Sequence, residues 1–164
     1  MYKHTLCFMK RNDEILMLNR EYDPLKGLWN GVGGKIANQE TPLACIIREV
    51  KEETGIDILD NQVQFKGIIK WEFDDAYFGG MYAYLVNIPK DYSYPTPKKV
   101  DEGILDWKNI SWLLSEGNYG LDEIIPHILP KILDSSKKFE HRCVIINNKM
   151  VAYECKELEI LEIL

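Results

Sequence analysis

No stretch of the 164-residue chain approaches the ~18 consecutive apolar residues of a membrane-spanning helix. The opening Met1-Tyr2-Lys3-His4 runs into a short apolar segment with charges close behind. It lacks the long apolar stretch and small-residue cleavage site of a secretory leader, so neither a leader nor a membrane partner is expected. Cysteine is sparse: Cys7, Cys45, Cys143 and Cys155 stand far apart with no CxxC pair. That spacing argues against a zinc site or a disulfide framework and for reduced, mostly buried thiols, hence a cytoplasmic protein. Positive charge is in deficit, 20 Lys and Arg against 26 Asp and Glu, for a net charge of −6. A nucleic-acid polymer is therefore not an expected partner, because binding one needs a basic stripe that displaces counterions. A small anionic substrate stays open, since a bound cation reverses the local field. No repeat and no low-complexity tract appears.

What remains is ordinary globular composition, 46% apolar and 28% charged, in a chain of one-domain length (residues 1–164). Thr5–Met9 has the character of a buried strand, Asn12-Asp13 of a turn, and Glu14–Leu18 of a hairpin partner. Residues 19–34 are loop-like and rich in glycine. Thr41 as N-cap, Pro42 in the first turn, an apolar stripe of Leu43, Ile46, Ile47 and Val50, and Gly55 as a stop predict a helix over 41–54. Strands are expected at 63–73 (long enough to bend), 81–86 and 103–107, with a loop at 89–100 and a short turn or helix at 111–115. A second helix is expected over 122–135, bent near Pro126 or Pro130, followed by a hairpin of 143–146 and 150–155 around Asn147-Asn148-Lys149. The tail 156–164 is amphipathic.

The chemistry concentrates in GKIANQETPLACIIREVKEETGI, residues 34–56. Glu49, Glu52 and Glu53 fall at i, i+3 and i+4, which gathers three carboxylates on one helix face. Like charges so placed cost a few tenths of a kcal/mol per pair (~0.2–0.5), a cost a bound cation removes. An all-oxygen set of this kind suits Mg²⁺, with Mn²⁺ as the alternative, bridging protein carboxylates to substrate phosphates. Arg48 is placed to pair with Glu40 or Glu52 and fix the cluster. The bland alternative is a solvated acidic face balanced by i,i+4 pairs; Lys51 is the only lysine among the four acids from Glu40 to Glu53, which weakens it. Gly31-Val32-Gly33-Gly34-Lys35 superficially suggests a phosphate-cradling P-loop, but Trp29 and Ile36 stand where that pattern needs Gly and Ser or Thr. The glycines fit better as places where backbone approaches a metal.

The same segment resembles the Nudix hydrolase superfamily. It matches the pattern G-x5-E-x7-R-E-U-x-E-E-x-G-U at Gly34, Glu40, Arg48, Glu49, Val50, Glu52, Glu53, Gly55 and Ile56. The resemblance implies an α/β fold of the α+β kind, an α/β/α sandwich around a mixed sheet, with the box at 34–56 holding a divalent metal against a pyrophosphate. It implies Glu52 and Glu53 as metal ligands, Glu49 as ligand or general base, the Gly33 carbonyl as a further ligand, and Arg48 and Glu40 as orienting groups. Glu49, Glu52, Glu53 and Arg48 are thus the catalytic candidates, in a hydrolysis by in-line attack of water.

Leu28–Lys35, Trp71-Glu72-Phe73, Asp101-Glu102 with Trp107, and Lys137-Lys138-Phe139 further resemble MutT-type hydrolases of oxidised purine nucleoside triphosphates. That likeness implies a nucleotide substrate, first among them 8-oxo-dGTP cleaved to the monophosphate and pyrophosphate. It makes Asn30 a reader of the purine edge, since an amide both donates and accepts. Lys35 joins it as a substrate-binding candidate. Glu102 becomes an additional ligand or base, against the reading of a solvated loop acid. Trp29 and Trp71 divide between base stacking and packing. The adjacent Asp pair with which mammalian members recognise the base has no counterpart in Gly117–Glu123, where Asn118 and Asp122 are the candidates. An ADP-ribose or nucleotide-sugar hydrolase is the rival enzyme; the ADP-ribose type carries a proline about 16 residues beyond the box, and here none lies between Pro42 and Pro89. A non-catalytic nucleotide-sensing module is the rival from another class, and it typically loses box carboxylates that are all present. Monomer and homodimer are equally open.

Overall fold

The computed structural model describes residues 1–134 and 136–159. A nine-stranded sheet organises them: β1 (His4–Arg11), β2 (Glu14–Arg20), β3 (Trp29–Asn30), β4 (Val63–Phe73), β5 (Tyr77–Ile88), β6 (Lys98–Val100), β7 (Gly103–Asn109), β8 (Phe139–Ile146) and β9 (Lys149–Glu157). The order is β6-β7-β2-β1-β5-β4-β8-β9, with β3 pairing β2 off this path. β1 is antiparallel to β2 and parallel to β5, and β4 is parallel to β8, so the sheet is mixed.

The central strand β1 is buried on both faces, which is why it is apolar without alternation. Leu6 and Phe8 join the core under helix α3 (Ile125–Leu133); Cys7 and Met9 join the core under helix α1 (Pro42–Thr54). Helices on opposite faces of a mixed sheet give the expected three-layer sandwich. A short helix α2 (Ile110–Leu113) follows β7.

The first hairpin, the 41–54 helix and the final hairpin match the sequence expectation, the last with Asn147 and Asn148 both at positive φ (51° and 62°). The expected bend in β4 is a register shift between Phe65 and Gly67. Several bounds differ. The loop expected at 89–100 ends in β6, and the loop at 19–34 contains β3; strands of three and two residues carry too little alternation to register. The 81–86 strand is the core of a longer β5, because its hairpin with β4 lengthens both arms. The second helix runs Ile125–Leu133 rather than from 122: Asp122 instead accepts the Ile124 N–H in a tight turn. Pro130 lies inside that helix without ending it, and Ser135, the expected last residue, lies outside the described residues. Lys156 and Glu157 complete β9, and residues 160–164 of the tail lie outside the described residues. No described helix is long and apolar enough to cross a membrane.

Candidate active site

Helix α1 starts where the sequence sets it. Thr41 accepts the Ala44 N–H through its hydroxyl at 3.1 Å, satisfying one orphan donor. Gly55 ends it with φ of 77°, its N–H on the Lys51 carbonyl. Cys45, Ile46 and Val50 are fully buried against the sheet. The acidic residues consequently turn toward the loop that precedes the helix.

That loop runs along the start of β1, with hydrogen bonds from Thr5 N to Gly34 O (2.9 Å) and from Cys7 N to Val32 O (2.7 Å). A side chain at Gly33 would strike the Thr5 carbonyl, and one at Gly34 would strike the Glu49 carboxylate. Gly33 thus lets the loop lie directly on the main chain of β1, and Gly34 admits the Glu49 carboxylate against the backbone.

Glu53 is only 6% exposed, and its Oε2 has no hydrogen-bond partner. Burial pushes its pKa up to about 8, helped by the charges of Glu49 and Glu102; the Gly33 N–H and the charge of Arg20 work the other way. Glu49, Glu53 and Glu102 thus come from two separated parts of the chain into one electrostatic neighbourhood. No motif flags Arg20, a lone cation at the end of β2; its guanidinium is tethered by an Nε bond to Pro24 O at 2.7 Å.

Arg48 is the hub of the remaining acids. Its Nε and one terminal nitrogen grip Glu40 bidentately at 2.8 and 2.9 Å, and the other terminal nitrogen reaches Glu49 Oε1 at 2.7 Å and Glu52 Oε2 at 3.1 Å. It also donates to Lys35 O at 3.1 Å, tying the loop to the helix. These bonds hold the Glu40 carboxyl down at about 2 and raise the Arg48 pKa. Arg48 meets both Glu40 and Glu52, the partners expected, and Glu49 besides. Glu49 and Glu52 are engaged through one oxygen each, so each keeps a second.

On the other face, Asn30 donates to Asp122 Oδ2 at 3.2 Å, while its own Oδ1 accepts the Gly31 N–H at 2.8 Å. Asp122 is 8% exposed, and burial raises its pKa. The main chain forces the meeting: Trp29 N donates to Gly120 O and Asp122 N to Trp29 O. The other candidates are placed differently. The Trp29 ring carries the Lys108 ammonium at 4.3 Å. Asn118 donates to Trp112 O and accepts from Gly120 N, so its amide staples its own loop. Lys35 forms a backbone bridge with His4. Trp71 packs beside Gly79 and lies 6.2 Å from the His4 ring, in a cleft of ≈ 640 Å³ near the turn of the β4–β5 hairpin.

The NUDIX domain pattern matches residues 3–127, well over half of the chain. The chain belongs to the NUDIX domain family. Its likeness to the uncharacterised Nudix hydrolase YvcI of Bacillus subtilis is 29% identity over 109 residues, 65% of this chain and 65% of that protein. A shorter stretch of 57 residues is 41% identical to the dihydroneopterin triphosphate diphosphatase of Haemophilus influenzae, 35% of each chain. The chain thus spans less than two thirds of these curated relatives. In fold it is similar to a MutT protein from Bacillus halodurans, with a TM-score of 0.78 at 22% identity, covering 95% of this chain and 98% of that one.

Nudix hydrolases generally use divalent metal ions. Among the described residues no three His, Cys, Asp or Glu side chains are drawn into a closed cage as they stand. The residues nevertheless fit a hard cation: every donor is oxygen, and a buried carboxylate oxygen lacks any partner.

Proposed function

We propose that this Nudix protein is a Mg²⁺-dependent hydrolase of a nucleoside diphosphate-linked substrate, foremost an oxidised purine nucleoside triphosphate such as 8-oxo-dGTP, yielding the monophosphate and pyrophosphate. The observation that carries the reading is Glu53: a buried acid with an orphan oxygen, facing the charges of Glu49 and Glu102, against a loop with no room for side chains. Such an arrangement costs stability until a cation is shared among the acids.

In this reading Glu49, Glu52, Glu53 and Glu102, with the carbonyl of Gly33, are the donors to Mg²⁺, or Mn²⁺ in its place. When bound, the cation neutralises phosphate oxygens and lowers the pKa of a coordinated water. Arg48 keeps Glu49 and Glu52 oriented while Glu40 and Lys35 O brace Arg48 itself. Glu49, held by Arg48, or Glu102 would serve as the general base for the attacking water. Asn30 and Asp122 form the reader of the base, since an amide beside a carboxyl group offers both a donor and acceptors to a purine edge. Lys35, Trp29, Trp71 and Asn118 are further substrate-binding candidates in this reading. The unpaired cysteines accord with a cytoplasmic protein, and the continuous sheet with a single domain over 1–164.

The test is a screen of purine nucleoside triphosphates, oxidised and unmodified, beside ADP-ribose and a nucleotide sugar, with Mg²⁺ and identification of products. Pyrophosphate and a monophosphate from a purine nucleoside triphosphate are expected. Turnover of ADP-ribose alone would overturn the substrate, and tight nucleotide binding without turnover would overturn the enzyme.

A further inference from the structure

The strap of residues 89–97, between β5 and β6, crosses the C-terminal end of α1. There the Tyr94 hydroxyl donates to the carbonyl of Thr54 at 2.6 Å. Thr54 is the last residue of the helix and the neighbour of Glu53, and its carbonyl is one of the four that a helix end leaves without an internal donor. The same tyrosine is tied to β7 through its main chain. Its carbonyl accepts the Trp107 indole N–H at 3.0 Å, and the two rings meet edge to face with centroids 6.3 Å apart. The Arg11 guanidinium lies 3.8 Å over the Trp107 ring, which links that ring to β1.

Two residues further on, Thr96 bonds the Asp106 carboxylate at 2.6 Å. The strap then enters β6, whose hairpin with β7 turns at Asp101-Glu102. The turn is held in its place by a hydrogen bond from Glu21 N to Glu102 O at 2.8 Å. Glu53 lies on α1 and Glu102 in the β6–β7 turn, so neither element alone fixes the distance between them. The strap supplies a mechanical link between the two.

We infer that Tyr94 is a positioning residue: its hydroxyl fixes the last turn of α1 against the β6–β7 hairpin and so sets the placement of Glu52 and Glu53 relative to Glu102. The inference rests on the proposed use of those carboxylates to hold a divalent cation. It adds a residue outside the box and outside any acidic cluster. Tyr94 touches neither substrate nor metal; it acts through Thr54.

The experiment titrates the full chain with Mn²⁺, following the free-ion electron paramagnetic resonance signal, for the wild type, Tyr94→Phe and Ile128→Val. Ile128 belongs to α3, is buried on the opposite face of the sheet and serves as a matched-stability control. Tyr94→Phe keeps the ring and removes one hydrogen bond, so it is expected to weaken Mn²⁺ binding about fivefold. Ile128→Val is expected to lower Tm by a similar few degrees and leave Mn²⁺ affinity unchanged. Should Tyr94→Phe not fold, Trp107→Phe, which frees the Tyr94 carbonyl, is expected to weaken Mn²⁺ binding in the same direction. Unchanged affinity in the folded Tyr94 variant, beside a wild type that binds Mn²⁺, would overturn the positioning role and leave the proposed hydrolase standing. A wild type that binds no Mn²⁺ would overturn that reading and this inference with it.

Discussion

The two faces of the sheet handle polar groups in opposite ways. Under α1, acids are concentrated and cross-linked: one arginine serves Glu40, Glu49 and Glu52, and Glu53 is left buried without a full set of partners. Under α3, the core is apolar, with Ile125, Ile128, Leu129 and Ile132 fully buried, and its polar members are isolated. His141 shares one nitrogen with the Tyr153 hydroxyl at 2.7 Å and leaves Nε2 unpartnered; Asn30 and Asp122 bond each other and one nearby main-chain N–H each. Under the proposed function, a cation completes the first arrangement. The second excludes water and sets Asn30 against Asp122.

The largest expected contrast comes from replacing the buried acid of the first face. Glu53→Gln should lower kcat by at least ~10²-fold while Tm stays level or rises, because an unpartnered acid is removed from the interior. Steady-state kinetics beside thermal melts check it; full activity would take Glu53 out of the site.

The second face should respond to acid instead. Burial, and then the charge of Lys131, push His141 down to about 4. Above about pH 6.5 it is neutral folded and unfolded and contributes nothing; below that, the unfolded chain takes a proton that the folded one refuses. Stability should therefore fall between pH 6.5 and pH 4, by ~3 kcal/mol at pH 4 from this group. Urea melts of the wild type and His141→Gln across that range read it, and parallel acid limbs in the two proteins would remove His141 as the cause.

Gly34→Ala tests the first face more gently. The added methyl must displace the Glu49 carboxylate, so about a tenfold loss of kcat/KM is expected with a modest drop in Tm. Wild-type kinetics would show that the carboxylate moves aside freely. The smallest effect belongs to Asn30→Ala: KM for a purine nucleotide should rise about five- to tenfold with kcat nearly constant. A fall in kcat alone would place Asn30 in the chemistry rather than in binding.

The same contrast explains how far the sequence could be read. Thr41, Pro42, Gly55 and the Leu43–Val50 stripe define α1 locally, and the carboxylates inherit their face from helical spacing, so the box was legible from 23 consecutive letters at residues 34–56. The glycine run before the helix marked Gly33 and Gly34 as places of close backbone approach, though what approaches them is the Thr5 carbonyl and the Glu49 carboxylate. The Asn30–Asp122 bond spans 92 positions and forms only because the Trp29 main chain pairs with Gly120 and Asp122. No local pattern encodes it. Tyr94 sits in a Pro- and Tyr-containing strap without periodicity, so nothing in its neighbourhood marks it as the partner of a helix end. His141 alternates in a strand like any core residue, and its orphan nitrogen is visible only once β9 and α3 are packed.

The account stands on the convergence of Glu49, Glu52 and Glu53 on a hard divalent cation. Anomalous scattering from crystals grown with Mn²⁺ and a non-hydrolysable nucleoside triphosphate analogue measures that directly. The expected map has a Mn²⁺ peak bonded to Glu53 and at least one of the other two carboxylates, with the analogue's phosphates on its far side. A peak elsewhere, or none with the analogue bound, would contradict it.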